Sequence, residues 1–318
     1  MRKLSALIVT FCLTGLLMLG LSVRAYGQEG GDKKPDAATE KKAYDTLQAC
    51  IAEKDFNKKL DMARTALGLY PNSQYVIYFK GQINEARNNL FDQARKEGRP
   101  ADAFRIGGEV LSEDPENLNY LLTLADYSVV LAKGKEKDFS YADKGTEYAK
   151  KAIDLINNNK RPAGVEEAKW NQSKPILLGK LHQDMGFFLL KANKDDDALK
   201  EFGEASKFNC TDPFTYYFTA LIYKNKYEGL SNDYRQMPDD KKTSDEGKAL
   251  LEKINPVIDL IVESYGKMWA VSEGKNAYDG LRNALKQDFE EFYKYRHEGK
   301  LDGLDTFISG LKSSCTQN

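Results

Sequence analysis

The stretch Met185–Tyr223, MGFFLLKANKDDDALKEFGEASKFNCTDPFTYYFTALIY, decides how the chain is read. It gives a helix, a turn, a second helix, a second turn, and then the first helix again. Small residues fall where two helices must approach closely: Gly186 in the first helix, Ala198 and Ala205 in the second. Met185, Leu189 and Phe202 recur around them at helical spacing. In the third helix Tyr216, Ala220 and Tyr223 take the places of His182, Gly186 and Leu189, so Gly186 and Ala220 are 34 residues apart.

The same period recurs upstream. Leu47 and Gly81 are 34 residues apart, and Pro71 stands ten residues before Gly81, as Pro115 stands ten before Ala125. Proline cannot continue a preceding helix, so each ends one unit just before the next begins. The pattern resembles the tetratricopeptide repeat, with its period of about 34 and its W-x2-L-G-x2-Y, A-x3-F and P positions. Here those positions read His182-x2-Met185-Gly186-x2-Leu189 and Ala198-x3-Phe202, so the Trp and Tyr positions depart from the consensus. Gly81 to Ala125 is 44 residues and Ala125 to Gly186 is 61, which makes the array degenerate. The resemblance implies an all-α, tetratricopeptide-like helical repeat solenoid with irregular insertions. Good repeat spacing covers residues 40–223, and 224–318 is helical in character without clean repeat positions, a set of degenerate repeats or a C-terminal helical cap.

Within that frame, helices are expected at about 40–53 and 56–69. The second repeat carries about ten extra residues, FDQARKEGRP, before a helix that starts near Pro100 and contains Ala103 and Gly107. The third opens at Asn117, has a long turn AKGKEKDFS, and shows its small residues as Gly145, Ala149 and Ala152. Pro175 should kink or split the segment leading into the best repeat. The stretch EGLSNDYRQMPDDKKTS, after Tyr227, reads as a loop of about seventeen residues. Helical pattern resumes from Ser244 to about Val271, with Pro256 a boundary or kink, and ends with helices at about 276–297 and 301–313.

Residues 1–27 look like a secretory signal peptide. Arg2 and Lys3 precede the uncharged apolar run from Leu4 to Leu21, and Ala25-Tyr26-Gly27 supplies the small residues of a cleavage site before Gln28. Export to a periplasmic or secreted location is therefore expected. The run also approaches transmembrane length, so a membrane-anchored scaffold that keeps residues 4–21 is the alternative. Cleavage would take the formal charge from −1 to −4, because Arg2, Lys3 and Arg24 leave and no acid does. Residues 28–39 are polar and read as a disordered leader. Cys50, Cys210 and Cys315 would remain, an odd number in an oxidising compartment, and their pairing stays open.

The near balance of 47 basic and 48 acidic residues gives no electrostatic ground for nucleic-acid binding. No phosphate-loop, dinucleotide-fold or serine-elbow motif occurs, and His182 and His297 are too far apart for a helical metal pair. His182 reads as a packed core residue. Asp195-Asp196-Asp197 reads as a helix start, where acids cap free N–H groups and oppose the macrodipole, rather than as a cation loop. We expect no enzyme activity, no cofactor and no metal. The other readings are a cell-envelope hydrolase, with carboxylate-only chemistry in 224–318, or the accessory subunit of one.

Resemblance to the tetratricopeptide family also implies where a partner would bind. The first helix of each repeat lines a concave groove that takes a protein or peptide. The groove positions lie six and three residues before the small residue and one after it. In this chain they are Tyr75, Tyr78 and Gln82; Asn119, Leu122 and Asp126; Lys180, Gln183 and Phe187; and Phe214, Tyr217 and Leu221. Their aromatic content suggests an apolar or aromatic-rich ligand. The competing reading is that several of them pack between repeats.

Overall fold

The computed structural model describes residues 35–162 and 164–312. All regular structure among them is helical. In chain order the α-helices are α1 (Ala37–Ala52), α2 (Phe56–Leu69), α3 (Val76–Lys96), α4 (Pro100–Glu113), α5 (Leu118–Lys133), α6 (Ala142–Asn157) and α7 (Glu167–Lys191). They continue as α8 (Asp195–Phe208), α9 (Pro213–Gln236), α10 (Asp239–Lys242), α11 (Asp245–Ser272), α12 (Asp279–Arg296) and α13 (Leu304–Lys312), with a 3-10 turn at Asn276–Tyr278. None of the described helices is both long and apolar enough to cross a membrane. The expected signal segment 1–27 and Cys315 lie outside the described residues.

The described chain divides into two compact units, 35–120 and 121–312. In the first, α1 packs on α2, α2 on α3, and α3 on α4. Asp36 caps α1 by accepting from Thr39 N–H at 2.7 Å, so the helix begins at Ala37, inside the segment expected to be a disordered leader. Asp55 caps α2 in the same way. The buried positions Ala43, Leu47 and Cys50 of α1 recur as Phe79, Ile83 and Ala86 of α3. That spacing is 36 residues, not 34. Gly81 therefore does not occupy a close contact: it is exposed, and a Cβ there would meet nothing within 4 Å. Of the ten residues read as an insertion, 91–96 are the continuation of α3, whose Leu90, Phe91 and Ala94 are buried, 97–99 link it to α4, and Pro100 opens α4. Buried Arg87 grips Glu113 of α4 through two bonds of 2.7 and 2.5 Å.

In the second unit, α6 packs on α7, α7 on α8, α8 on α9, and α9 on α11, with α12 and α13 set against α11. Here the small residues sit at close contacts. A Cβ on Gly186 would meet the Phe202 ring at 2.7 Å, and one on Gly145 would meet Ser128 Cβ at 2.6 Å. Ala149, Ala152, Ala198, Ala205 and Ala220 are all buried. Pro175 lies inside α7 without splitting it, and Pro256 lies inside α11.

The expected seventeen-residue loop is mostly helix. α9 runs unbroken from Pro213 to Gln236, through residues 223 and 224, and only a short link containing α10 separates it from α11. The physical reason is that Tyr227, Leu230 and Tyr234 continue one helical stripe, which packs on the core that includes Ile254, Ile258 and Tyr265. At α8 the acids Asp195–Asp197 do occupy the first turn, where they oppose the macrodipole. They do not cap by hydrogen bond, however: the N-cap is Lys194, and Asp197 pairs with Lys200 at 3.0 Å.

Cys210 is disulfide-bonded, whereas Cys50 is a free, buried thiol whose pKa burial pushes up. The Tyr216 hydroxyl donates to the Cys210 carbonyl at 3.0 Å and fixes the turn between α8 and α9. Burial pushes that phenol up to about 12.

Candidate functional site

The expected groove residues fall into two groups, one in each unit. In residues 35–120, Tyr75 is the N-cap residue of α3 and is half-buried, while Tyr78 is 57% exposed. Their rings are 6.2 Å apart, and Tyr75 also meets Tyr44 of α1 at 5.6 Å. Tyr44, 45% exposed, completes a row of three tyrosines. Sequence reasoning did not single it out, although it stands three residues before Leu47 as Tyr78 stands three before Gly81. Glu40 ties α1 to this row, accepting from Ser73 Oγ at 2.8 Å and from Gln74 N–H at 3.3 Å. Gln82 is half-buried one turn further along α3, and its Oε1 is buried without a hydrogen-bond partner. Asn119 is half-buried in the first turn of α5.

In residues 121–312, α5, α7 and α9 carry the other eight, each helix supplying groove positions one turn apart. Lys180 of α7 donates to Asp184 at 2.7 Å and pairs with Asp126 of α5 at 3.1 Å. Gln183 of α7 donates to Thr215 of α9 at 2.9 Å. Phe187 of α7 meets Phe218 of α9 at 5.6 Å, and Phe218 in turn meets Phe214 at 6.3 Å and Tyr217 at 5.3 Å. Gln183 and Phe187 are buried, so their side chains hold α7 to its neighbours. Asp126, Lys180, Phe214 and Tyr217 are half-buried and stand at the margin of that contact. Leu122 and Leu221 are likewise half-buried.

Three residues of this region were not expected from sequence. Asp184 is buried, and one of its carboxylate oxygens, Oδ1, has no hydrogen-bond partner. Lys133 ends α5 with its ammonium 4.7 Å above the Phe187 ring and 5.5 Å from the Phe218 ring. Phe139, 37% exposed, stacks on Phe187 at 6.2 Å. A legible signal existed for the first two. Asp184 follows Lys180 by four residues and Lys133 follows Asp126 by seven, so both pairs share a helix face.

The electrostatics follow from burial and from the ratio of charges. Burial pulls the Lys180 ammonium down, but Asp184 and Asp126 together outweigh it and hold its pKa above the ordinary value. Burial pushes the Asp184 carboxyl up, against the pull of Lys180 and Lys133. The Lys133 ammonium is pulled below its ordinary value by burial, although the residue as a whole keeps much of its surface. Asp212, the N-cap of α9, accepts from Phe214 N–H at 2.9 Å and adds a third carboxylate nearby.

His182 and His297 stand apart from this cluster. His182 Nδ1 lies 2.8 Å from Glu201, with its ring stacked on Phe208, and His297 closes α12 against Tyr293 at 3.9 Å. Among the described residues no group of three or more His, Cys, Asp or Glu side chains is placed to hold a metal ion. No known family model matches the chain, and no curated protein matches it.

Proposed function

We propose that the protein is a non-enzymatic interaction module, a tetratricopeptide-like array that binds a protein or peptide partner along the first helices of its repeats. The supporting observation is the convergence of Asp126, Lys180, Gln183, Phe187, Phe214 and Tyr217 from α5, α7 and α9 into one hydrogen-bonded and stacked cluster. Half-buried aromatic rings beside a fixed charge are what a partner's side chains use as anchors. Val130, 49% exposed, lies on the α5 stripe between Asp126 and Lys133 and offers an apolar contact at the margin. The apolar run at Leu4–Leu21 supports export, with Gln28 as the mature N-terminus.

Photo-crosslinking tests the binding surface. A benzophenone side chain at Val130 should give a discrete adduct with an envelope protein, mapped to one peptide by mass spectrometry. The same group at Tyr295, 56% exposed on α12, should give none. Equal adducts from both positions, or none from Val130, would contradict the reading. Intact-mass analysis of the exported protein tests the leader: a species that retains residues 4–21 would make it an anchored scaffold.

A further inference from the structure

Lys133 is an unusual occupant of its place. Its residue is exposed at the end of α5, yet its ammonium turns inward over Phe187 and Phe218. The charges that face it are Asp126 of its own helix, Lys180 and Asp184 of α7, and Asp212 before α9, and Lys191 of α7 also holds its ammonium 5.9 Å from the Phe187 ring, so three carboxylates meet three ammonium groups at this corner. Lys180 takes up one oxygen of Asp184 and one of Asp126. The second oxygen of Asp184 stays buried and unpaired, which typically costs about 1–3 kcal/mol.

A ring face next to a carboxylate attracts a cation, and more strongly once water is excluded. An ammonium carries three donors, enough to satisfy Asp184 while resting on the rings. We propose that this corner of α5, α7 and α9 is a receptor for a primary ammonium group, the side chain of a partner's lysine, and that Lys133 is its resident competitor. The proposal rests on the groove reading above and names what the groove recognises. The incoming ammonium takes the ring faces that Lys133 covers and donates to Asp184. Lys133 swings out on its exposed stem and regains water. One cation leaves as another enters, so the exchange leaves the charge of the corner unchanged.

Titration of the purified protein, labelled with 13C at the lysine ε-carbons, with N-acetyl-lysine amide tests this. The Lys133 signal should begin shifted upfield by the rings and move to the solvent position on titration. N-acetyl-norleucine amide, which lacks the ammonium, should not move it. Lys133→Met should bind the lysine amide at least tenfold more tightly than the unaltered protein, read from the Phe187 and Phe218 ring signals. Asp184→Asn in that background should abolish the gain. A Lys133 signal that stays in place at saturating lysine amide overturns the proposal, and needs no variant to fold. Equal affinity with and without Lys133 also overturns it. If the Val130 adduct forms but the lysine amide moves nothing, the groove reading stands and this inference falls.

Discussion

Gly186 lies against the ring of Phe202, and any side chain larger than hydrogen would have to displace that ring. Gly186→Leu should therefore lose about 1–3 kcal/mol or more, read as a lower urea midpoint. Gly81→Ala should do the opposite: its position is open and helical, so replacing glycine there should add about 0.5–1 kcal/mol. A destabilised Gly81→Ala would mean that the α3 surface is not free. The buried charges give a pH-dependent case. Lys180 holds its proton more tightly folded than unfolded, so its contribution is complete below about pH 10, its unfolded value, and is lost only as pH rises through the folded value. Lys180→Met leaves Asp184 and Asp126 without that cation and should cost about 3–5 kcal/mol near neutrality. The folded pKa of Asp184 is already raised by burial, so its ionisation destabilises the fold as pH rises past its unfolded value of about 4. The deficit of Lys180→Met should therefore shrink at pH 4 relative to pH 8 in urea titrations. A deficit equal at both would exclude Asp184 as the group left uncompensated.

The elements were legible wherever caps and apolar stripes agreed. Residues 56–69 could be read off as a helix because Tyr70-Pro71 ends it, and in the fold Asp55 caps its start. The helical phase of α3 was misread because Gly81, exposed in the fold, imitates the small residue of the pattern, while the buried residues run through Phe79 and Ile83. The end of α9 was misread because its polar residues conceal Tyr227, Leu230 and Tyr234, whose partners lie on α11 and α12, distant in sequence. A proline substitution separates helix from loop directly. Glu228 is exposed in α9, so Glu228→Pro should cost about 3 kcal/mol or more while Glu228→Ala stays close to zero. A Glu228→Pro protein with an unchanged denaturation midpoint would restore the loop.

For the molecule as a whole, helical class was carried by local pattern, whereas the site required partners brought from three helices. Lys180, Gln183 and Phe187 could be picked by position in one repeat, but their neighbours Thr215, Phe218 and Lys133 belong to others. The same holds for the cysteines, whose spacing left the pairing open: Cys210 is bonded and Cys50 is free. Because Cys50 is fully buried and its thiol is held protonated, it should resist alkylation at pH 8 until the fold is opened by urea. Peptide mapping that finds Cys50 modified in the native protein would contradict this packing.

The most direct test of the binding surface is the affinity of the protein for the peptide identified by crosslinking, measured for Val130→Glu and Tyr295→Glu. Both positions are exposed, so neither change should disturb the fold. If the partner lies along α5, α7 and α9, Val130→Glu should weaken binding by at least tenfold, the scale of a disrupted anchor of about 2 kcal/mol, and Tyr295→Glu by less than twofold. Equal affinities for the two variants, or a greater loss for Tyr295→Glu, would contradict the account.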